Sequence, residues 1–311
     1  VISIGNLVAG GTGKTPMTIC LARLFKDLGK KVVVISRGYR GKSLEEVSIV
    51  GDGHQVYLDA DKAGDEPYMM ASLKQFPVVI GKNRYQAGQL AVKRFNPDVI
   101  LLDDAFQHRK LKRDLDLLLM DYDKPLGNKR LLPAGRLREP FQQAAGRADA
   151  VIFTRSRPEE SKTAVKLRHH IKEMPLFKTV HVPFLAEFKA FDSRADIKQN
   201  QLNDLEGKKV VLFSGLATNA SFYRSISQSG IIILDHLEFK DHYRYKKADI
   251  LRINAIARQK GAHIILTTQK DWVKMDRNCV WAADVGVIGV EIQFEPEDAF
   301  SLFVKQRCLN L

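Results

Sequence analysis

Residues 1–16 read VISIGNLVAGGTGKTP, an apolar run that leads into a glycine-rich turn, a lysine and a threonine. Glycines lack a Cβ, so the backbone of this turn can adopt positive φ and point its N–H groups at a polyphosphate. Lys14 adds a positive charge, and Thr15 places a hydroxyl where it can hold Mg²⁺ at the start of a helix. The predicted phosphate-binding residues are Gly10, Gly11, Thr12, Gly13, Lys14 and Thr15.

The spacing differs from the standard phosphate loop, G-x-x-x-x-G-K-[ST], because Val8 stands where the first glycine is expected. The alternative interpretation is a glycine-rich hairpin beside a surface lysine. An apolar strand precedes the turn, and residues 17–28 carry apolar side chains at helical spacing, closed by Gly29. These flanking elements favour the phosphate loop.

Apolar strands alternate with amphipathic helices along the chain, which predicts an α/β fold with a parallel, phosphate-loop-containing sheet. Its length of 311 residues favours two units. We predict a nucleotide-binding domain over residues 1–180, a linker over 181–205, and a smaller α/β domain over 206–311. The expected strands are 31–36, 77–81, 98–102, 115–121 and 148–154, then 210–215, 231–236, 264–268 and 287–292, with a helix over 159–174 and extended chain over 178–192.

The composition is that of a globular protein, with 45% hydrophobic and 27% charged residues. Three scattered cysteines show no pairing or zinc-ligand spacing, which suits a reducing compartment. No run of about 18 apolar residues is present, so we expect no membrane-spanning segment. The net charge of +13 favours anionic partners: nucleotide phosphates, nucleic acid or an acidic membrane surface.

Charged residues follow several of the predicted strands. Asp103 and Asp104 end one strand, where a carboxylate can hold Mg²⁺ directly or through water, although many strands end in Asp for turn chemistry alone. Asp65 and Glu66 open a helix and could simply cap it. Arg84 begins another helix against the helix dipole, so we expect it to meet an anion.

Basic residues also follow strand ends, in the loop RGYRGK at 37–42 and between residues 107 and 138. This clustering favours a phosphate-bearing partner over a merely solvated surface. Aromatic residues do not interleave with the bases, so the sequence gives little support to nucleic-acid binding. The basic residues of the second cluster are His108, Arg109, Lys110, Lys112, Arg113, Lys129, Arg130, Arg136 and Arg138.

Eight short motifs occur in one order: the glycine-rich loop, SRGYRGK, GDEP, GKNR, LLDDAFQHR, LLPAGRLREP, FKDHY and LTTQKDWVK. With these motifs the chain resembles, over nearly its whole length, the tetraacyldisaccharide 4'-kinases of lipid A synthesis. The resemblance implies two α/β domains joined by a β linker, and transfer of the ATP γ-phosphate, with Mg²⁺, to the 4'-hydroxyl of an acylated glucosamine disaccharide 1-phosphate. It implies a peripheral location at the cytoplasmic face of the bacterial inner membrane, with an anionic membrane surface and no nucleic acid as partner. In that family a membrane-associated helix precedes the loop, and the motif order here starts after that position.

The resemblance also implies roles for particular residues. Asp65 falls on the catalytic carboxylate and His242 on its histidine partner, while Thr15, Asp103, Asp104 and Glu66 fall on the metal side. Positions near nucleotide or lipid substrate are Tyr39, Arg84, Gln107, Arg138 and Glu139. A sugar hydroxyl has a pKa far above neutrality, so a base such as Asp65 is chemically required.

Two positions depart from the family pattern. Lys240 stands where Pro is expected, and Gln269 stands where Glu is expected, which puts a charge pair with Lys270 in doubt. The family uses a shorter glycine pattern, so Val8 is no departure from it. Two rival functions are a membrane- or DNA-associated ATPase switch, which would carry a lysine where this chain has Ala9, and a basic nucleic-acid-binding ATPase.

Overall fold

The computed structural model describes residues 1–157, 161, 164–165, 167, 171, 174–191, 201–276 and 278–308. Two compact units are found: the first comprises Val1–His181 and Ile292–Leu311, and the second comprises Val182–Glu291. The domain limits predicted from the sequence assigned everything after residue 205 to the second domain, whereas Ile292–Leu311 groups here with the first unit. The helix expected over 159–174 lies largely outside the described residues.

The first unit is built on a mainly parallel sheet in the order β8–β7–β6–β1–β5–β2–β4–β3, in which only β3 is antiparallel to its neighbour. Its strands are β1 (Ile2–Asn6), β2 (Val32–Ser36), β3 (Val47–Asp52), β4 (Pro77–Gly81), β5 (Val99–Asp103), β6 (Leu115–Asp121), β7 (Ala150–Thr154) and the start of β8 (Leu176–Lys189). Its helices are α1 (Lys14–Asp27), α2 (Ala60–Ala63), α3 (Asp65–Ser72), α4 (Arg84–Phe95) and α5 (Phe141–Ala145).

The central strands are nearly continuous apolar runs because helices cover both faces of this sheet. All five residues of β1 and of β2 are buried. On one face, Phe25 of α1 and Met70 of α3 pack into the same core as the strand residues Ile4 and Val34. On the other face, Ala87 of α4 packs with the alternate residues of the strands. This packing fixes the carboxyl ends of the parallel strands at one edge.

The chain returns to the first unit at its end. Strand β12 (Asp284–Glu295) begins in the second unit and ends in the first, where the last helix of the described chain follows it. Phe300 and Val304 of this helix are buried in the same core as Ile4. Apolar burial therefore explains why the last segment belongs to the first unit.

The second unit carries a parallel sheet in the order β10–β9–β11–β12. Phe222 and Ile226 cover one face, and Ile250 and Ile253 cover the other. Its remaining elements are a 3₁₀ turn (Leu202–Leu205), β9 (Lys209–Ser214), α6 (Asn219–Ser227), β10 (Ile232–Glu238), α7 (Lys247–Lys260), β11 (Ile264–Thr268) and α8 (Gln269–Trp272), and the C-terminal helix of the first unit is α9 (Glu297–Cys308).

The predicted fold class is confirmed, since the structure is an α/β protein with a large parallel-rich sheet. Strand β3 was missed, because its six residues follow a polar loop and only half of them are buried. Across the described part of the chain, no helix is both long and apolar enough to cross a bilayer.

Candidate active site

Four strands of the first unit end at the same edge, and three of them, β1, β2 and β5, lead into residues of the predicted site. Strand β1 leads into the glycine-rich turn and β2 into the basic loop at 37–42. Strand β5 ends in Asp103, and β7 ends in Thr154. Because Ile4 is in register with both Asp103 and Leu117, the turn after β1 lies between the ends of β5 and β6. This strand order places the glycine-rich turn beside the acidic pair.

Two of the three glycines in the glycine-rich turn adopt the positive φ that the sequence predicts. Gly10 has φ 125° and Gly13 has φ 85°, values that side chains with a Cβ rarely adopt. Gly13 is also the N-cap of α1, where no side chain caps the helix and no acidic residue occupies the first turn. The positive end of the helix dipole is therefore left to an external anion.

Side chains outside the turn hold its carbonyl groups. Asn6 donates through Nδ2 to the Val8 carbonyl at 2.7 Å and to Thr12 Oγ1 at 2.7 Å. Thr154 donates to the Thr12 carbonyl at 3.0 Å, and Arg155 donates to the Gly11 carbonyl at 2.7 Å. Because these carbonyl groups are bonded to protein side chains, the turn is held in a conformation that leaves its backbone N–H groups for an anion.

These supporting residues were missed in the sequence. Arg155 is itself held by Asp121, whose Oδ2 lies 2.7 Å from Arg155 Nη1. The available signal was their position: Thr154 and Arg155 stand at the carboxyl end of a buried strand, just as Asp103 and Asp104 do.

The two adjacent carboxylates have different surroundings. Asp103 is 2% exposed and accepts hydrogen bonds from Thr18 at 3.1 Å and Ser36 at 3.2 Å. Burial raises the pKa of Asp103, and the nearby negative charges of Glu66 and Asp104 raise it further. A pocket that crowds carboxylates in this way stabilises a bound cation.

Asp104 instead faces cations. It has φ 49°, and Arg138 binds both of its oxygens, at 2.6 and 3.1 Å. Lys14 Nζ lies 3.8 Å from Asp104 Oδ2 and 3.4 Å from the Gly10 carbonyl. Burial opposes ionisation, but Lys14 and Arg138 together hold the pKa of Asp104 below its usual value. The lysine of the phosphate loop is therefore kept in place by a carboxylate at short range.

A second network extends from Arg138 to Glu139. Arg138 donates to Gln107 Oε1 at 3.1 Å, and Gln107 Nε2 donates to Glu139 at 3.1 Å and to the Asn6 carbonyl at 2.9 Å. Glu139 is 8% exposed and also pairs with Arg109 and Arg147, at 3.0 and 2.9 Å. Burial raises the pKa of Glu139, but the bonds from Arg147 and Gln107 outweigh this and lower it. Gln107 thereby ties this network to the end of β1.

The basic loop and the GDEP segment pack directly on each other. A Cβ on Gly64, which has φ 90°, would lie 2.6 Å from the Tyr39 carbonyl oxygen. Lys42 N donates to the Asp61 carbonyl at 2.9 Å. Asp65 and Glu66 then form the first turn of α3, and Glu66 acts electrostatically on Asp103. The structure thus brings the GDEP carboxylates, Tyr39 and the acidic pair to one edge.

Arg84 is buried, with 3% exposure, and donates through Nη1 to the Gly81 carbonyl at 2.7 Å. Burial lowers the pKa of Arg84, and the charge of Asp103 opposes that effect. Asn83 caps α4 in place of an acidic residue, accepting from the Tyr85 and Gln86 N–H groups. The sequence predicted an anion near Arg84 at the start of α4, and the carboxylate of Asp103 supplies part of that negative charge.

His242 lies in the second unit, in a turn after β10, and has φ 59°. Lys270 Nζ is 3.4 Å from His242 Nε2 and 3.2 Å from Asp241 Oδ1. Gln269 put a charge pair with Lys270 in doubt, but Lys270 forms an ion pair with Asp241. Lys240 contributes its carbonyl to the same turn, accepting from Tyr243 N at 3.0 Å.

Comparison with known proteins decides the family. A family model described as LpxK, tetraacyldisaccharide-1-P 4'-kinase, matches residues 1–308. The chain belongs to this family. Proteins named tetraacyldisaccharide 4'-kinase are similar to it: that of Geobacter metallireducens is 43% identical, covering 88% of this chain and 78% of the relative, and that of Syntrophus aciditrophicus is 38% identical, covering 98% and 83%.

A solved structure of LpxK from Aquifex aeolicus, described as an "apo" form in complex with ATP, is also similar. The TM-score is 0.74 at 33% identity, covering 98% of this chain and 87% of the other. The function predicted from the motifs is therefore confirmed: the chain is an ATP-dependent tetraacyldisaccharide 4'-kinase of lipid A biosynthesis.

The residues of the site fit both ATP and Mg²⁺. The positive-φ glycines, the uncapped helix start and Lys14 suit a polyphosphate. Within the described ranges, no group of three or more His, Cys, Asp or Glu side chains is arranged to hold a metal ion. Mg²⁺ usually takes one or two carboxylates and completes its coordination with phosphate oxygens and water, and Asp103 at the end of β5 offers such a carboxylate beside the loop.

Proposed function

We propose that the edge of the first unit described above carries out the transfer, with Lys14 and the turn at residues 10–15 binding the phosphates of ATP. The observation that carries this proposal is the contact of Lys14 with Asp104 beside an uncapped helix start. Phosphate oxygens can take over the contacts that Asp104 and the Gly10 carbonyl make with the Lys14 ammonium group. The lysine is already positioned, so little side-chain ordering remains to be done on binding.

Thr15, Asp103, Asp104 and Glu66 form the metal side in this proposal. Mg²⁺ held there would neutralise charge on the transferred phosphoryl group. Burial and the neighbouring carboxylates of Glu66 and Asp104 disfavour uncompensated negative charge on Asp103. Arg138 orients the Asp104 carboxylate and is itself held by Gln107, which also bonds Glu139.

Asp65 is proposed as the base that accepts the proton of the sugar hydroxyl, and His242 as a residue that supports the reaction. The position of Asp65 on the first turn of α3, within the packed GDEP turn, supports its role. Tyr39 and Arg84, placed at the same edge of the first unit, are proposed to contact substrate. Phosphoryl transfer needs mainly positioning and charge neutralisation beyond this base.

We further propose that the protein works peripherally at the cytoplasmic face of the bacterial inner membrane, on an acylated disaccharide 1-phosphate held in the bilayer. The net charge of +13 supports attraction to an anionic lipid surface. Nucleic acid has no part in the proposal, since basic and aromatic residues do not alternate in a base-stacking pattern.

The test is transfer of labelled γ-phosphate from ATP to the tetraacyldisaccharide 1-phosphate dispersed in detergent. Lys14→Ala and Asp103→Asn are each expected to lose at least about 100-fold in rate, because each removes charge stabilisation at the phosphates. Matched controls are Lys26→Ala, at the other end of α1, and Asp98→Asn, just before the other end of β5. More than a tenth of the parent rate in Lys14→Ala or Asp103→Asn would refute this site.

The same assay separates a kinase from an ATPase switch. ATP turnover is expected only when the acylated acceptor is present, because the proposed base acts on the sugar hydroxyl. Turnover at the same rate without lipid would favour the switch. Turnover raised by DNA or RNA would favour the nucleic-acid-dependent ATPase.

A further inference from the structure

Residues 124–138 of the first unit, named here the cationic hairpin, contain five basic residues and no acidic one. The basic residues are Lys124, Lys129, Arg130, Arg136 and Arg138. Of these, Arg138 is committed to Asp104. Among the described residues, the other four form no ion pair, and all four are exposed.

The tip of the cationic hairpin exposes two adjacent leucines. Every residue from Gly127 to Ala134 is exposed, and within this run Leu131 is 45% and Leu132 is 55% exposed. Two adjacent leucines in water carry a cost that burial would recover. Lys129 and Arg130 immediately precede them, so the apolar pair and the cations share one short stretch of surface.

The exposed tip is nevertheless well ordered by hydrogen bonds. Leu137 N donates to the Arg130 carbonyl at 3.0 Å, and Leu132 N donates to the Leu137 carbonyl at 2.9 Å. Asn128 Oδ1 accepts from the backbone N–H groups of Arg130 and Arg136. Gly135 allows this turn, since a Cβ there would collide with the Arg130 carbonyl oxygen. The leucines are held outward by their backbone, so the folded chain does not bury them.

The base of the cationic hairpin is attached to the phosphate loop. Val8 forms an antiparallel bridge with Leu137, and Ala9 N donates to the Arg136 carbonyl at 2.8 Å. Arg138 N donates to the Leu7 carbonyl at 2.8 Å. A surface that the tip contacts is therefore held at a fixed distance from the turn that is proposed to bind phosphate.

We propose that the cationic hairpin is the docking surface for an anionic lipid bilayer, with Leu131 and Leu132 entering the interface and Lys129 and Arg130 meeting the head groups. The choice of a bilayer rests on charge complementarity and on the pairing of exposed cations with exposed apolar side chains, which is the pattern that anionic lipid interfaces bind. This inference deepens the proposed function, on which its membrane setting rests. It locates the membrane-binding surface at residues 124–138, whereas the net charge alone points to no particular surface.

The first experiment measures partition of the full chain onto vesicles of phosphatidylethanolamine and phosphatidylglycerol by sedimentation. Lys129→Gln with Arg130→Gln is expected to weaken binding about 25-fold at low salt, since each cation near an anionic surface contributes about fivefold. Leu131→Ser with Leu132→Ser is expected to weaken it about tenfold, because the interface then buries less apolar surface. Vesicles of neutral phosphatidylcholine should bind the parent chain weakly.

The matched control is a similar set of residues on α4, where Val92 is 51% exposed beside the exposed Lys93 and Arg94. Val92→Ser, and Lys93→Gln with Arg94→Gln, remove the same kinds of group from another surface of the first unit. They should leave vesicle binding unchanged. If the α4 variants lose as much binding as the hairpin variants, the attraction comes from net charge alone and the inference is overturned.

A second measurement reports on depth. Leu132→Trp should show an added fluorescence component that shifts to shorter wavelength with anionic vesicles and is quenched by brominated acyl chains. Unshifted, unquenched emission with bound protein would refute insertion of the tip.

Activity in detergent separates this inference from the proposed function. The Leu131→Ser with Leu132→Ser variant should transfer phosphate normally to acceptor dispersed in detergent, yet slowly to acceptor in vesicles. Failure of the parent chain in detergent would count against the proposed function, whereas equal rates of variant and parent on vesicles would count against the hairpin.

Discussion

Replacing Gly13 by Ala tests whether the phosphate loop depends on the space around it as well as on its backbone conformation. Gly13 has φ 85°, and a Cβ added there would lie 2.9 Å from His181 Nε2 and 3.0 Å from Cε1. Cγ2 of the buried Thr154 lies 3.8 Å from the same point. Two costs are therefore expected, one from the left-handed backbone and one from the contact with His181.

Gly29 at the other end of α1 separates these costs. It has φ 74°, and nothing lies within 4 Å of a Cβ added there. Gly29→Ala should thus destabilise by about 1 kcal/mol, from the backbone alone. Gly13→Ala should cost about 2–4 kcal/mol, because overpacking adds about 1–3 kcal/mol. The gain from restricting the unfolded chain is the same for both substitutions and cancels in the comparison.

The assay is thermal unfolding without nucleotide, in which each kcal/mol corresponds to about 2–4 °C for a unit of about 200 residues. A double-mutant cycle with His181→Ala then isolates the contact, since the smaller side chain leaves room for the new methyl group. Gly13→Ala should cost only about 1 kcal/mol in that background. Equal losses for Gly13→Ala and Gly29→Ala in the parent chain, or additive losses in the cycle, would refute the steric argument.

Two further predictions concern catalysis and pH. Asp65→Ala should slow phosphate transfer more than His242→Ala. If the two residues serve one step, the double variant should be scarcely slower than Asp65→Ala, whereas fully multiplicative losses would show independent roles. An unchanged transfer rate in His242→Ala would remove that histidine from the mechanism. His181 should make the first unit acid-sensitive, because burial and then the charge of Arg155 lower the pKa of its imidazole to about 3. The neutral imidazole therefore contributes to the free energy of unfolding above the unfolded pKa of about 6.5, and this contribution is lost as pH falls toward 3. Between pH 6.5 and 5 the parent chain should lose up to about 2 kcal/mol more than His181→Gln in urea unfolding, and parallel pH profiles would contradict this.

Much of the first unit could be predicted because its strands are buried on both faces. Runs such as KVVVIS at 31–36 have one physical reading, and the residue after each run falls at the edge where ligands bind. Strand β3 could not be predicted in this way, since it is antiparallel, lies at the sheet edge and buries only half of its residues. The grouping of α9 with the first unit was also beyond the sequence, because Phe300 and Val304 meet their core partners only in three dimensions.

The candidate site shows the same division. Glycines, Lys14 and the acidic pair carry chemical signatures, so the sequence identified them as candidates. Asn6, Thr154 and Arg155 carry none: an Asn, a Thr and an Arg at strand ends are ordinary residues until their bonds to the Val8, Thr12 and Gly11 carbonyls are seen. A motif records the groups that face the ligand, while the groups that hold the loop from behind are set by the neighbouring strands.

The departure at Val8 follows from the same geometry. In the standard spacing a glycine at this position would already belong to the turn, whereas Val8 is still paired, forming a bridge with Leu137. Its carbonyl accepts from Asn6, and its side chain lies 3.3 Å from the position of a Cβ on Gly127. A residue in a β-bridge needs no positive φ, so a β-branched side chain is favoured there. The turn therefore begins later in this chain, at Gly10, and the glycine that the standard motif requires earlier is replaced by a contact with the cationic hairpin.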